Sequence, residues 1–318
     1  MTDAAERAMY EAALQRATAA GSGATLDAAL KDLGWRDSLS ADPRLAVSLL
    51  FESQGTANAT SSAVDWLLAD ALGISGMSAV VLPELRQSAA PADRHGTRVE
   101  VRGIGTAALP QSDSVVLVGR GGDGYVASAV PTTSVTWRTI AGLDPALGLG
   151  EVTATLVDGD ALEWFAVDWE GALCRGRLAL GHELVGAGRA MLELARLHAL
   201  ERVQFGRPIA AFQAVRHRLA EAFVGLEAAA ALLDAAWDDP SPEGGAMAKA
   251  LAGRSARSAA RHCQQVLAGI GFTSEHALHR YVRRVMVLDQ LLGAGRDLTR
   301  QLGDDMLEAR HTPTPPPL

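Results

Sequence analysis

Hydrophobic residues change their spacing twice along the chain, which divides it into three regions. Residues 3–72 are rich in alanine and leucine at helical spacing, which predicts a short N-terminal helical region. Between residues 77 and 168 the pattern consists of β-branched runs separated by turns, which predicts a small β domain. We predict its strands at residues 97–101, 114–118, 125–130, 134–139 and 152–156.

Helical spacing returns from about residue 178 to residue 310, in stretches divided near residues 206–208, 238–245 and 269–274. The dividers are rich in glycine and proline, so we predict four long helices. Helices, then strands, then a helical bundle form an α+β fold rather than a doubly wound sheet. We expect a shortened N-terminal helical domain at 1–76, a middle β domain at 77–168, a C-terminal four-helix bundle at 169–311 and a frayed tail at 312–318.

Composition and charge limit the classes of protein to which this chain can belong. With 48% hydrophobic and 21% charged residues, the sequence is typical of a folded globular chain. No stretch approaches the roughly 20 apolar residues of a membrane-spanning helix, and residues 1–7 lack a basic segment followed by an apolar run. The net charge of -8 argues against a general affinity for nucleic acid or anionic lipid. We therefore expect a cytoplasmic protein that binds neither nucleic acid nor membranes.

Cysteine and glycine patterns argue against other kinds of site. Cys174 and Cys263 are too few and too isolated for a disulfide framework or a zinc site, so we expect buried thiols and no metal. Residues 119–124 are rich in glycine, but they join two predicted strands and precede no helix, which favours a hairpin turn over a phosphate loop. Gly103 and Gly105 lack the third glycine and the following helix of a dinucleotide-binding fingerprint.

Two motifs in the C-terminal region are candidates for a cofactor-binding site. Residues 202–209 read Arg-Val-Gln-Phe-Gly-Arg-Pro-Ile, and about sixty residues later Gln265, Gly269, Phe272 and Glu275 belong to a second run. Taken alone, the first run fits a glycine-capped helix end as well as a cofactor site. Together, the two runs and the helix pattern between them resemble the C-terminal helical domain of acyl-CoA dehydrogenases over residues 178–302. The resemblance implies that family's fold and a FAD cofactor.

The resemblance also implies which residues contact the cofactor. In that family the arginine of the first run binds the pyrophosphate of FAD and its neighbours contact the same molecule. A glutamine followed by two small residues supports the adenosine end, and Ala268 departs here from the family's Gly-Gly pair. These contacts reach a flavin that is seated mainly in a neighbouring subunit. The roles fall on Arg202, Gln204, Phe205, Gln265, Ala268 and Gly269.

Other parts of the family's active site have no counterpart in this sequence. Family members carry a Thr-Glu-Pro element and a Trp-Ile-Thr-Asn-like strand in the β domain, whereas residues 82–85 match the first only roughly and Trp137 is a poor substitute for the second. The family's catalytic base follows the third long helix or precedes an arginine on the first. Those positions are Leu292 and Gly176. Neither side chain can accept a proton, so we assign no catalytic residue.

Three carboxylates lie near enough in sequence to be considered as substitutes. Glu183 shares a helix face with Gly176 but lies two turns, about 10 Å, farther along the axis. Asp289 and Glu275 are nearer the loop of the family's base, but a surface or helix-capping role is the simpler interpretation of each. His276 and His279 are interpreted as packing or phosphate contacts rather than ligands.

The chain keeps residues that the family uses in a neighbouring subunit and lacks those used within its own. The resemblance therefore implies the non-catalytic subunit of a heteromeric, α2β2 acyl-CoA dehydrogenase of the kind that degrades steroids in actinobacteria. Its partner, a homologous catalytic subunit, would carry the flavin ring, the acyl-CoA pocket and the base for α,β-desaturation. Two alternatives stay open: a self-sufficient homo-oligomeric dehydrogenase with an unrecognised base, and a non-enzymatic scaffold of the same fold.

Overall fold

The computed structural model describes residues 4–74, 76, 79–159 and 162–310, so the predicted tail at 312–318 lies outside it. Its N-terminal region is helical, as predicted, and packs around buried Leu30, Trp35, Leu50 and Phe51. The Asp42 side chain caps one helix by accepting a hydrogen bond from the Leu45 amide at 3.0 Å. The helices are α1 Ala4–Ala20, α2 Ala24–Asp32, α3 Trp35–Ala41, α4 Pro43–Ala57 and α5 Ala63–Ala71.

The middle region forms one sheet of seven strands in the order β5-β6-β2-β1-β3-β4-β7. All five predicted strands are present, whereas the short strands β1 and β7 were not predicted. The 119–124 run closes the β3–β4 hairpin, with Gly122 at a φ of 54°, which confirms the predicted turn. The strands are β1 Ala92–His95, β2 Arg98–Gly105, β3 Ser114–Gly121, β4 Gly124–Pro131, β5 Thr136–Thr139, β6 Gly150–Val157 and β7 Phe165–Val167.

Helices return at Trp169, earlier than residue 178, because the Asp168 side chain accepts a hydrogen bond from the Gly171 amide at 2.9 Å and caps the helix there. The prediction of one long helix after residue 274 is wrong in one respect. This segment forms two helices, because the chain turns between them with φ of 54° at Leu292 and 100° at Gly293. The elements are α6 Trp169–Glu201, β8 Val203–Gln204, β9 Arg207–Pro208, α7 Gln213–Asp238, α8 Pro242–Leu267, α9 Leu278–Leu288 and α10 Gly295–Ala309.

The long helices α6 and α8 run in parallel, with α7 antiparallel to both. Near the start of α6, the Cys174 thiol donates to the Ser241 carbonyl oxygen at 3.1 Å, just before α8. A methyl group added to Gly181 on α6 would meet Leu233 of α7, and one added to Gly188 would meet Leu226. The residue numbers rise along α6 while those of the contacted α7 residues fall, so the two helices are antiparallel. The C-terminal ends of α6 and α8 therefore lie at the same end of the bundle, together with the start of α7.

No helix in the described part of the chain is long and apolar enough to cross a membrane.

Candidate functional site

The first motif lies on a tight hairpin at the end of α6. Strands β8 and β9 pair Val203 with Pro208 and Gln204 with Arg207. Phe205 and Gly206 form the turn between them with positive φ angles of 55° and 78°, as two-residue hairpin turns require. Pro208 therefore belongs to this hairpin and not to the first turn of the next helix. Helix α7 begins later, at Gln213.

The side chains of this motif face outward from the hairpin. Arg202 and Gln204 are exposed, and Phe205 is 91% exposed. Phe205 meets Phe212 edge to face, with ring centroids 6.0 Å apart, and the Arg207 guanidinium stacks on the Phe212 ring, 4.4 Å from its centroid. Arg202 forms no ion pair with a described residue. An exposed aromatic ring beside an unpaired guanidinium suits a planar, anionic ligand.

The second motif lies at the C-terminal end of α8. Gln265 is exposed in the last turn of the helix, and Ala268 and Gly269 follow it at the surface. Ala268 has a φ of 53° and a ψ of -134°, a backbone conformation that glycine adopts readily and alanine rarely. Space around Gly269 is open, with no atom within 4 Å of an added methyl group. The positive φ gives a physical reason why the family has glycine at the position of Ala268. Alanine keeps the same backbone shape here, but at a cost in conformational energy.

The two motifs meet at the same end of the bundle, because α6 and α8 run in parallel. Burial lowers the pKa of His276, which follows the second motif, and the neighbouring His198 in the last turn of α6 lowers it further. The structure therefore brings together both sets of candidate cofactor residues on one exposed surface, which we call the bundle end. It comprises the β8–β9 hairpin, the first turns of α7, the last turns of α8 and the segment up to the start of α9.

The two positions where the family places its base also meet, but in the interior. Gly176 and Leu292 are both buried. A methyl group added to Gly176 would lie 2.6 Å from Leu292 Cδ1 and 3.1 Å from Leu68 Cδ2. The leucine side chain therefore fills the space that a side chain at position 176 would need.

A small cavity of about 50 Å³ lies beside this contact. Pockets for drug-sized ligands are larger, about 300–1,000 Å³. Neither a flavin ring nor an acyl chain of ordinary length fits without movement of the wall. That wall is mostly apolar, with one buried carboxylate: Leu82, Leu180, Glu183, Leu288, Leu291 and Leu292.

Glu183 is tied to an arginine from a distant part of the chain. Arg284 is fully buried and its Nη1 lies 3.3 Å from Glu183 Oε1. Its Nε donates to Asp144 Oδ2 at 2.6 Å, and Nη1 also donates to the Ala59 carbonyl oxygen at 2.7 Å. Burial raises the pKa of Glu183 to about 7, against the lowering effect of Arg284. Sequence reasoning identified Glu183 but gave no sign of this partner.

Asp289 is buried rather than exposed, which corrects the expected surface position. Its side chain is 1% exposed and Oδ2 lies 3.2 Å from Arg257 Nη1. The turn that follows is held by two buried cations. Lys249 Nζ donates to the carbonyl oxygens of Asp289 at 2.9 Å and Gly293 at 2.6 Å, and Arg177 Nε donates to that of Leu292 at 3.1 Å. These bonds fix Leu292 over Gly176.

The remaining sequence candidates have local roles. Glu275 is exposed and does not cap α9; instead His276 Nδ1 accepts a hydrogen bond from the Leu278 amide at 3.1 Å. Cys174 and Cys263 are free and buried, as expected. No cluster of three potential metal ligands occurs among the residues that the structure describes.

Comparison with known proteins shows which proteins this chain is similar to. Residues 167–306 match the family model of the acyl-CoA dehydrogenase C-terminal domain. Acyl-CoA dehydrogenase IpdE2 of Mycobacterium tuberculosis is 28% identical in an alignment that covers 97% of this chain and 100% of that protein.

Two solved structures share the fold of the whole chain. The Tcur3481-Tcur3483 steroid ACAD, as its G363A variant, has a TM-score of 0.78 at 21% identity, over 96% of this chain and 99% of that one. The ChsE4-ChsE5 complex from Mycobacterium tuberculosis has a TM-score of 0.77 at 21% identity, over 99% of each chain. The predicted acyl-CoA dehydrogenase fold is confirmed. The C-terminal region of the chain therefore matches the acyl-CoA dehydrogenase family model, and its whole length is similar to an acyl-CoA dehydrogenase.

Proposed function

We propose that this chain is the non-catalytic subunit of a heteromeric FAD-dependent acyl-CoA dehydrogenase. Its bundle end contacts FAD that is held mainly by a homologous partner, and the partner supplies the catalytic base. One contrast carries the proposal. The six candidate cofactor residues are exposed together at the bundle end, whereas the two base positions are packed against each other in the interior.

The bundle end fits the dinucleotide part of FAD. The free Arg202 guanidinium can bind the pyrophosphate in a bidentate way, and Gln204 can donate an amide hydrogen beside it. The exposed Phe205 ring offers a stacking face. Gln265 would support the adenosine, and the open backbone at Ala268 and Gly269 allows its close approach.

The chain's own interior does not fit the flavin ring or the acyl group. The cavity of about 50 Å³ beside Leu292 is too small for either, and its buried carboxylate, Glu183, is engaged by Arg284. In acyl-CoA desaturation a carboxylate removes the proton α to the thioester while bound FAD accepts the hydride from the β carbon. This chain would contribute binding and orientation of FAD, and the partner would contribute the proton transfer.

We propose a steroid-derived acyl group as the substrate. The support is the similarity of the fold to a structure described as a steroid ACAD. The ChsE4-ChsE5 complex, which is similar over 99% of this chain, likewise supports a pair of unlike subunits.

Co-expression with a candidate catalytic acyl-CoA dehydrogenase subunit tests the proposal. We expect a co-purified complex with flavin absorbance. Arg202→Ala should weaken FAD binding at least tenfold, or about 1.4 kcal/mol, because it removes a bidentate, charge-assisted contact. Arg196→Ala is the matched control, because Arg196 is exposed on the last turns of α6 and, among the described residues, forms an ion pair with Glu193 alone. A homo-oligomer without flavin absorbance, or a complex whose flavin content is unchanged by Arg202→Ala, would refute the proposal.

A self-sufficient dehydrogenase is the second candidate, and one observation favours it. Glu183 lines the cavity, and burial raises its pKa to about 7, a value suited to a general base. This candidate requires that the chain, expressed alone, binds FAD and desaturates an acyl-CoA, with activity lost in Glu183→Gln. A chain without flavin when purified alone would exclude it.

A further inference from the structure

The exposed ring of Phe205 stands on a backbone conformation that is strained for its residue type. A φ of 55° is uncommon for a bulky residue, and strain of this kind is typical of functional sites. The ring is 91% exposed, so burial within this chain does not offset the strain. All residues of the hairpin, 202–208, are exposed, and a two-stranded hairpin alone is only marginally stable in water. Contacts from outside the hairpin must therefore help to hold the ring in place.

Two ring contacts join the hairpin to Phe212, the residue just before α7. The Phe205 and Phe212 rings have centroids 6.0 Å apart and an interplanar angle of 82°, the edge-to-face geometry that aromatic pairs favour. The Arg207 guanidinium lies 4.4 Å from the centroid of the Phe212 ring, within the range of a cation–π interaction. Arg207 is paired with Gln204 across the hairpin. Phe212 therefore contacts the hairpin both at its turn and at the residue pair next to the turn.

The backbone of Phe212 is fixed to the helical bundle. Its carbonyl oxygen accepts hydrogen bonds from the amides of Val215 at 3.1 Å and Arg216 at 3.2 Å, in the first turn of α7. Its own amide donates to the Ile209 carbonyl oxygen at 3.0 Å, and Ile209 packs against the largest hydrophobic core. Side chains carried by rigid elements orient their neighbours more precisely than side chains on loops. Phe212 thus connects the exposed Phe205 ring to a rigid part of the fold.

We propose that Phe212 and Arg207 are positioning residues, which hold the Phe205 ring in the orientation that stacks on the ligand of the bundle end. This inference rests on the proposed function for the identity of that ligand as FAD. A ring that is already ordered loses less conformational entropy when a ligand stacks on it than a mobile ring does. The two residues therefore strengthen binding without touching the ligand, and Arg207 acts through the Phe212 ring rather than as a phosphate ligand.

Titration of FAD into the co-purified complex, after removal of its flavin, tests the role of Phe212. We expect Phe212→Leu to weaken FAD binding about fivefold, because it removes the aromatic contact, and Phe212→Tyr, which keeps the ring, to bind as the wild type does. In a Phe205→Leu background, Phe212→Leu should have no further effect, since the ring to be positioned is gone. Phe223→Leu is the matched control, because Phe223 is 53% exposed on the same helix α7 and belongs to neither motif.

The variant Arg207→Gln separates positioning from direct contact with a phosphate. We expect it to weaken FAD binding about threefold when Phe212 is present, through loss of the cation–π interaction. Beside Phe212→Leu it should have no effect, because the ring on which the guanidinium stacks is absent. An equal loss in both backgrounds would mean that Arg207 contacts the ligand itself, and would overturn its positioning role.

Hydrogen exchange in the chain alone gives a measurement that does not need FAD. Phe212→Leu should speed amide exchange in the hairpin at least about twofold, because it loosens the ordered turn, whereas Phe223→Leu should leave the exchange unchanged. Unchanged exchange in Phe212→Leu would overturn the inference, as would an equal loss of FAD affinity with and without the Phe205 ring. A complex that binds no flavin would contradict the proposed function, and the exchange rates would still decide whether Phe212 orders the hairpin.

Discussion

The contact between Leu292 and Gly176 predicts an unusual pair of mutational effects. Leu292 is fully buried, and Gly176→Ala would place a methyl group 2.6 Å from its Cδ1 and 3.1 Å from Leu68 Cδ2. Real Cβ atoms do not approach so closely, so side chains must shift. If Leu292 fills the space of a side chain at position 176, then the effect of Gly176→Ala must depend on which residue occupies position 292.

The magnitudes follow from the packing. Overfilling a core costs about 1–3 kcal/mol, and alanine in a helix interior is about 1 kcal/mol more favourable than glycine. We therefore expect Gly176→Ala alone to lower the free energy of unfolding by about 0–2 kcal/mol. Leu292→Ala alone should lower it by about 2–5 kcal/mol, because it leaves a cavity. In the Leu292→Ala background the closer clash is gone and the 3.1 Å approach to Leu68 Cδ2 remains, so Gly176→Ala should raise the free energy of unfolding by up to about 1 kcal/mol.

Urea unfolding and thermal melting of the four proteins measure this coupling. The matched control combines Gly176→Ala with Leu226→Ala. Leu226 packs against Gly188, twelve residues and about 18 Å farther along α6, so those two effects should add. Equal effects of Gly176→Ala beside leucine and beside alanine at position 292 would refute the inferred filling of the base position.

Three further outcomes are expected. Ala268→Gly should raise the melting temperature by about 2 °C, since relieving the positive φ of 53° is worth about 1 kcal/mol; an unchanged or lower melting temperature contradicts this. The pKa of Glu183 is raised by burial from 4.5 to about 7, so the folded state keeps a proton that the unfolded chain has released. Stability should therefore fall by about 3 kcal/mol as pH rises from about 4.5 to about 7, and urea titrations should show Glu183→Gln lacking that part of the fall. Burial raises the thiol pKa of Cys174, and it raises that of Cys263 to about 12, so neither thiol should react with iodoacetamide until the chain unfolds. Mass spectrometry measures this alkylation, and an alkylated cysteine in the folded protein would contradict the prediction.

Regular hydrophobic patterns made most of the fold predictable, and short or strained segments did not follow from them. Strand β1, Ala92–His95, has only four residues and follows Pro91, so no β-branched run marks it. The break between α9 and α10 depends on Leu292 in a left-handed conformation, which a leucine rarely adopts. The following Gly293 was the one local sign of that break.

The site was predictable where it depends on local motifs and unpredictable where it depends on tertiary contacts. The sequence predicted two candidate cofactor motifs, and the parallel course of α6 and α8 brings these two segments to the same end of the bundle. It identified Glu183 as a weak candidate base, but its partner Arg284 lies 101 residues away. It did not indicate that Gly176 and Leu292 touch, because contact between distant segments is decided by how the helices pack.

The interior and the bundle end differ in how far their charged groups are engaged by other residues of the chain. A cleft that binds a ligand must keep polar groups available, yet here Arg284 engages Glu183 while Arg177 and Lys249 donate to the carbonyl oxygens of the Leu292 turn. Freeing any of these buried groups would leave a charge without its partner, which costs several kcal/mol. Among the described residues the bundle-end arginines have no such ion-pair partners and remain exposed at no comparable cost, so they are open to contacts with a ligand or another chain, as the proposed function requires.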